Sequence, residues 1–492
     1  MRGRFEYERR LMSPPLVPWR AQIGMFAVVA LIASALSVAA FEAELAAFTG
    51  SARDLGFFMA QYERLLDVPV WRGLAVQPSG NDAFGFSGLD GAPTLHADIH
   101  LSPLKYVLAF VHTTTGSWPA VQIALTALVL AGLAYALVRF QRAWPGNTLA
   151  LAALAALAVS PLFIGGACHD LRPYVALAPF VAALTAALLT RAPSSHVTLL
   201  ALLGLLVREE AAVIVVLASL WLALEGRRDD AWRTFAIAVS YFAAFHVLYF
   251  AFLPFTYAPH ASTALVWLAF VAPPVFLRAP SDWTERLCRV HERHRASTVA
   301  MLGAPFAVAL VDPYFGGHLI RDALARTFPA TLVVLLAAVH AMLAVASVRA
   351  QQRVAMLLAI GVVPALALSL GVIDAQRAEA PEGRDVWALV ERLPEGTPIV
   401  TDFLHYQAFA GRDRLLVWER LPVALETPLG PEAPERRPAL LRALRDTDAL
   451  WVMSAASYRT LTAADVGAIE RCPGPTDFVV AHRRGGRVPC PR

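Results

Sequence analysis

Asp54, in the stretch ARDLGFFMAQYERLL, stands just past the first long apolar run of the chain. A carboxylate there sits at a membrane surface. It either caps the helix that follows, a place where Asp is favoured, or takes a proton from an acceptor hydroxyl or binds a cation. His96, Asp98 and His100 alternate in HADIH. On an extended segment alternate residues share one side, and two imidazoles with a carboxylate suit zinc, manganese less well; the other reading is a polar loop end before a membrane helix. CHDLRP places His169 and Arg172 together. His169 can hydrogen-bond a sugar and Arg172 can hold a phosphate as a two-pronged donor, or both anchor the next helix at the interface. Arg208, Glu209 and Glu210 interrupt the apolar run 197–224. Arg208 fits a lipid-linked phosphate, and the two glutamates can orient it or bind a metal; a self-neutralising turn is the alternative. His318 and Arg321 in GGHLIRD lie three apart, on one face if helical.

These groups matter because charge is scarce. The chain has 492 residues, 57% hydrophobic and 16% charged, with a mean hydropathy of +0.53. Soluble proteins carry about 25% charged residues, so a soluble enzyme, a disordered chain and a nucleic-acid binder are excluded. Of 42 basic residues all but Lys105 are arginine, which with the abundant alanine reflects a GC-rich bacterial genome rather than a binding surface. The last 119 residues, from Asp374, hold 16 Arg and 17 Asp or Glu, a soluble composition. The chain therefore divides into a membrane body, 1–373, and a terminal domain, 374–492.

Apolar runs near 22–41, 119–138, 148–165, 172–190, 232–254, 262–277, 299–311, 328–348 and 354–373 supply the helices, since a span needs about 20 apolar residues. Arginine-rich short loops stay inside: 139–142, 191, 227–228, 286–295 and 349–353. Basic residues also precede the first run, which has no clear cleavage site and is retained, N-terminus inside. Run 197–224 has basic flanks on both sides, so one crossing cannot satisfy it. Two short helices meeting at Arg208–Glu210 can, and they spare the roughly 2.5–3.5 kcal/mol that each charge costs at mid-bilayer. The expectation is an α-helical polytopic body of about 11 membrane helices, two of them short. A large outer loop, 42–118, and segments 166–171 and 312–327 share the outer face with the terminal domain.

The terminal domain reads as small α/β. Residues 386–393 suit a helix; 397–402, 449–454 and 478–481 suit strands; the proline-rich 422–438 is a loop. Cys472 and Cys490 both fall in this outer domain, where an oxidising compartment permits a disulfide. Cys168 and Cys288 fall on opposite sides of the membrane. His291 and His294 stand among arginines and read as a solvated inner face that touches anionic headgroups. Trp19, Trp118 and Trp144 read as interfacial belt residues.

DLGFF (54–58), HLSPL (100–104), HDLRPYVALAPF (169–180) and LLGLLVREEAAVIV (202–215), with the tail LVERLPEGTPIVTDFLHYQAFAGRDRLLVW, form an ordered pattern. In order and spacing the chain resembles the bacterial and archaeal membrane family called domain of unknown function 2079. That family is related to the GT-C glycosyltransferases, which use polyprenyl-phosphate sugars. The chain departs from the pattern at His318, followed by Leu319 where the family has Tyr, and in the long stretch 72–95. The resemblance implies a GT-C-like fold and, for Asp54, the role of general base on the acceptor. Arg208 or Arg172 would steady the departing lipid phosphate, and direct displacement would invert the anomeric centre.

The expected function is sugar transfer from a polyprenyl-phosphate donor to an acceptor on the outer face of the bacterial inner membrane, with Asp54 catalytic. Arg208, Glu209, Glu210, His169, Arg172 and His100 would bind substrate or phosphate. The sequence makes no cofactor a certain requirement, and a divalent metal is compatible with His96, Asp98 and His100. The partners are the donor lipid, an acceptor and the bilayer, with no nucleic acid. Two rivals use the same charges differently: a transporter or flippase, for which no inverted repeat is visible, and a non-catalytic assembly protein.

Overall fold

Long alanine- and leucine-rich runs satisfy their backbone groups internally as helices, which with closed barrels are the only structures that do so in lipid. The computed structural model describes residues 17–47, parts of 55–67, 102–167, 171, 173–207, 211–252, parts of 271–278, 281–293, 320–378, 381–402, 405–409, 412, 415–417, 448–461, 467–473 and 478–491. The body comprises α1 (Trp19–Ala47), α2 (Leu104–Thr115), α3 (Trp118–Ala143), α4 (Leu149–Ala158), α5 (Pro161–Ala167), α6 (Leu177–Leu189), α7 (Ser194–Leu205), α8 (Ala211–Leu224), α9 (Arg228–Phe252), α10 (Ser281–Arg293), α11 (Ile320–Val345) and α12 (Val348–Ala378).

Among the described residues α1, α3 and α12 are each long and apolar enough to cross a bilayer; α4 and α5, bent by 64° at their break, together make a fourth candidate span. The bend follows from Ser160 and Pro161. Proline has no N–H for the ladder, and Ser160 Oγ accepts from Phe163 N at 3.3 Å to start α5. The carbonyl of Val159 freed at the break accepts from Ser369 Oγ of α12 at 2.7 Å. In 197–224, where a hairpin of two short helices is expected, α7 ends before 208–210 and α8 starts after it; 208–210 itself lies outside the described residues. Runs 262–277 and 299–311 and the pair His318 and Arg321 lie largely or wholly outside the described residues, or have side chains that do.

Small residues let helices approach closely, as membrane packing requires. At Gly132 a Cβ would fall inside the Pro179 backbone of α6, and at Gly166 it would lie 2.5 Å from the Phe328 ring of α11. A buried core of these helices surrounds α3, α4 and α6.

The terminal region follows as α13 (Pro381–Arg392), β1 (Ile399–Thr401), β2 (Leu415–Val417), β3 (Leu450–Ser454), α14 (Ala455–Thr460), β4 (Ile469–Arg471) and β5 (Phe478–Arg483). The sheet order is β2-β1-β3-β5-β4. β2, β1 and β3 run parallel, and β3, β5 and β4 alternate. β3 is buried on both faces over Leu450–Met453, the continuous apolar run of a covered parallel strand. Cys472, just after β4, is joined to Cys490 with Cα atoms 5.6 Å apart, which ties the chain's end to the sheet.

His291 corrects the solvated reading. It is 2% exposed, set edge-on to Trp221 of α8 with ring centroids 4.3 Å apart. Trp19 is 56% exposed, as a belt residue should be. Trp118 and Trp144 instead pack on His112 and His340.

Candidate functional site

Asp54, His96, Asp98, His100, His169, Arg172, Arg208, Glu209 and Glu210 all lie outside the described residues. Their neighbours in the chain do not, and those neighbours meet. Leu55, Leu171, Val207 and Ala211, each next to or within one residue of a candidate group, belong to one buried cluster with Leu108, Tyr62 and Leu205.

Two hydrogen bonds fix the meeting. Tyr62 Oη, eight residues past Asp54, donates to the carbonyl of Leu171 at 2.8 Å. Burial pushes the Tyr62 pKa well above its ordinary value, so the hydroxyl keeps its proton and remains a donor. Leu171, between Asp170 and Arg172, is fully buried with φ of 53°. A bulky residue in the left-handed region costs about 1–2 kcal/mol, and such strain collects where a segment is held for a purpose. On the same segment Gln122 Nε2 of α3 donates to the last carbonyl of α5, Ala167 O, at 3.1 Å, and to Ser37 Oγ of α1 at 2.9 Å. The loop bearing His169 and Arg172 is thus held at both ends.

The second bond joins the other pair of stretches. Leu104 N, the first residue of α2, donates to Leu206 O at the end of α7, at 3.1 Å. Leu206 lies two residues before Arg208, and Leu104 four after His100. Ser102 and Lys105 beside this junction are 1% and 5% exposed. Among the described residues Ser102 Oγ is buried with no hydrogen-bond partner. Farther along α2, His112 Nε2 pairs with Glu63 Oε1 at 2.8 Å, and its ring stacks on Trp118 with centroids 3.6 Å apart. Alongside, Leu202 and Leu205 of α7 and Leu206 just after it face Ala236, Ile237, Ser240 and Tyr241 of α9 across an apolar groove of about 580 Å³.

The terminal region docks onto this end. The carbonyl of Leu45, in the last turn of α1 where carbonyls lack intrahelical partners, accepts from Trp387 Nε1 of α13 at 3.2 Å and from Gln407 Nε2 at 3.0 Å. Gln407 is carried on the turn after β1, where Asp402 Oδ1 accepts from His405 Nδ1 at 2.6 Å and Asp402 Oδ2 from Ser454 N at 2.7 Å. Ile399, Phe409 and Leu450 of this region enter the same buried cluster as Leu55 and Leu171.

With four stretches and a terminal sheet gathered at one end of a helical bundle, comparison with known proteins is informative. Residues 87–283 match the model of a family described as predicted membrane protein (DUF2079). The chain resembles that family over this segment, and as a whole it has the fold of two solved structures. The fold is similar to ArnT from Cupriavidus metallidurans in the apo state, at TM-score 0.54 and 13% identity, covering 94% of this chain and 98% of that one. The crystal structure of ArnT from Cupriavidus metallidurans bound to undecaprenyl phosphate aligns at TM-score 0.53 and 15% identity, covering 94% of this chain and 97% of that one. No curated protein matches the sequence. The matched family segment includes the HADIH, CHDLRP and VREE stretches and begins after Asp54.

Type-based reading of the sequence overlooked Lys105, Tyr62 and Gln122. The signal for Lys105 was present: a solitary lysine in an arginine-only chain, behind HLSPL. A buried ammonium is rare unless it is paired, and this one stands at the junction of two of the four stretches.

Proposed function

We propose that this protein transfers a sugar from a polyprenyl-phosphate donor to an acceptor at the membrane face that carries the terminal domain, the outer face of the inner membrane. The observation that carries the reading is the convergence just described. The described neighbours of four stretches whose sequences carry acid, imidazole and guanidinium groups meet in one cluster, with a buried lysine and an open apolar groove beside them. A lipid-linked phosphate needs that pairing: apolar walls for the prenyl chain and fixed cations for the phosphate. A fold neighbour that holds undecaprenyl phosphate supports the donor class.

In this reading Asp54 accepts the proton of the acceptor hydroxyl as its oxygen attacks the anomeric carbon. The bond from that carbon to the phosphate oxygen breaks, and the configuration inverts. Arg208 and Arg172, with Lys105, hold the charge that develops on the departing phosphate, where preorganised cations act most strongly in a water-poor site. Glu209 and Glu210 orient Arg208, and His169 and His100 bind sugar or phosphate. His96, Asp98 and His100 are the proposed ligands should a divalent cation take part.

Labelled polyprenyl donor in proteoliposomes tests the reading. Asp54→Asn and Arg208→Ala, made separately, are expected to stop transfer while the protein still folds. Full activity in both variants sinks the assigned roles, and full activity after chelation removes the cation.

A further inference from the structure

Helix α10 (Ser281–Arg293) differs from the spanning helices in length and in pattern. Thirteen residues reach about 20 Å at 1.5 Å each, short of a roughly 30 Å hydrocarbon core. In sequence it lies between the apolar runs 262–277 and 299–311, so the chain must bring it to the bilayer surface. Trp283, Leu287 and Val290, spaced four and three apart, form one stripe and are 67%, 46% and 55% exposed. The next stripe round the helix carries His291, buried against Trp221 near the end of α8. Half of the apolar face is therefore covered by protein, and the other half is bare.

The bare stripe is bordered by cations. Arg286 stands three residues after Trp283 and four before Val290, so it flanks the stripe directly; Arg289 follows on the polar side, 4.0 Å from Glu285. Arg278, Arg286 and Arg289 are exposed. Between 278 and 295 the sequence places five arginines against three acidic residues. A tryptophan stripe edged by arginines whose stems can follow it into the interface is the pattern of a helix lying in a membrane surface.

We propose that α10 is an interfacial helix that binds acidic phospholipid. Trp283, Leu287 and Val290 enter the boundary between headgroups and acyl chains, while Arg278, Arg286 and Arg289 hold anionic headgroups. The site is at the end of the bundle opposite the terminal domain and does not depend on the sugar-transfer reading.

The test uses the full-length protein in nanodiscs of phosphatidylcholine alone or mixed with phosphatidylglycerol. A nitroxide at Leu287→Cys, in a Cys168→Ser and Cys288→Ser background, is expected to be more accessible to oxygen than to a water-soluble nickel complex; Val290→Cys serves if the first variant fails to fold. Hydrogen exchange in the 281–293 peptide is expected to slow by on the order of tenfold when phosphatidylglycerol is present, given the attraction of a few arginines to an anionic surface. Arg286→Gln with Arg289→Gln should abolish that difference and leave the oxygen accessibility intact. Greater access to nickel than to oxygen overturns the proposal, as does exchange that is the same in both lipids. Spin–spin broadening between copies overturns it in favour of a second copy on the stripe.

Discussion

At the arginine-bearing end of the bundle, Gln351 reaches the carbonyls of Met342, Leu343 and Ala346 while its own oxygen accepts from Asn147 Nδ2 at 2.5 Å. Gln141 joins Gln22 to the same brace. Arg139 and Arg227, legible in the sequence only as topology signals, donate to the carbonyls of Thr190 and Ala192 beyond the end of α6. At the opposite end, Ser102 Oγ and His112 Nδ1 are buried with no partner among the described residues; backbone strain does not separate the two ends, since Leu171 here and Arg191 at the first end both have left-handed φ. At the first end these particular side chains are spent on the helices' own orphan carbonyls. The other keeps some unused, which costs stability and makes sense where a ligand supplies the missing partner.

The largest effect that follows is at Lys105. Lys105→Met is expected to lower the rate of transfer in proteoliposomes by about 10²–10³, the scale of losing one preorganised charge at a reacting phosphate, with the melting temperature in detergent nearly unchanged. A wild-type rate would detach the lysine from the site and make the contrast between the two ends purely architectural.

Next comes the terminal region. The Cys472–Cys490 bridge closes a separation of 18 residues, and a loop of that size is worth about 3 kcal/mol. Cys472→Ser with Cys490→Ser should make the terminal region protease-sensitive under mild heating while the helical body resists. Equal sensitivity of body and terminal region would mean that the two unfold as one.

Gln351→Leu probes the braced end. It strips buried carbonyls of their donor at about 1–3 kcal/mol, so thermal stability should fall while kcat with the labelled donor stays at the wild-type value. A matched loss of kcat would show that the brace and the site are coupled along α12.

How much of this was legible in the sequence depends on the range of the interaction. Arg208–Glu210 announced a break between α7 and α8 because three charges cannot sit in mid-bilayer, a local fact. β3 and β5 were readable from their apolar runs. β2 and β4 sit among charged residues and show no period, whereas β1, equally short, was readable from the apolar stretch around it. The docking of Trp387 and Gln407 on Leu45 joins positions more than 340 apart, and nothing near either partner signals it. Gln122 looked like an ordinary polar residue in a helix, because its value lies in the carbonyl of Ala167, which only the bend in α4–α5 presents. His291 was misread since flanking arginines suggested solvent, whereas a four-residue shift on the helix carries it under Trp221.

The smallest predicted effect concerns acid, and it separates the terminal sheet from the body. Burial pushes the Asp402 carboxyl up, but the hydrogen bond and charge of His405 and the hydrogen bonds from Ser454 outweigh it, leaving the group below its ordinary value. A carboxylate whose pKa is depressed by folding stabilises the fold fully above its unfolded value, about 3.9, and that contribution is lost as pH falls through the folded value. The terminal sheet should therefore weaken below about pH 4, and Asp402→Asn should flatten that dependence while lowering stability near neutrality. Met453, fully buried in β3 one residue from Ser454, reports it. Its rate of oxidation by peroxide across a urea series gives a midpoint for the terminal region in the full-length protein. If the midpoints of wild type and variant fall in parallel as the pH drops, the Asp402 pair is not what ties the turn bearing Gln407 to the sheet. The grip on α1 would then rest on Trp387 and the apolar cluster alone.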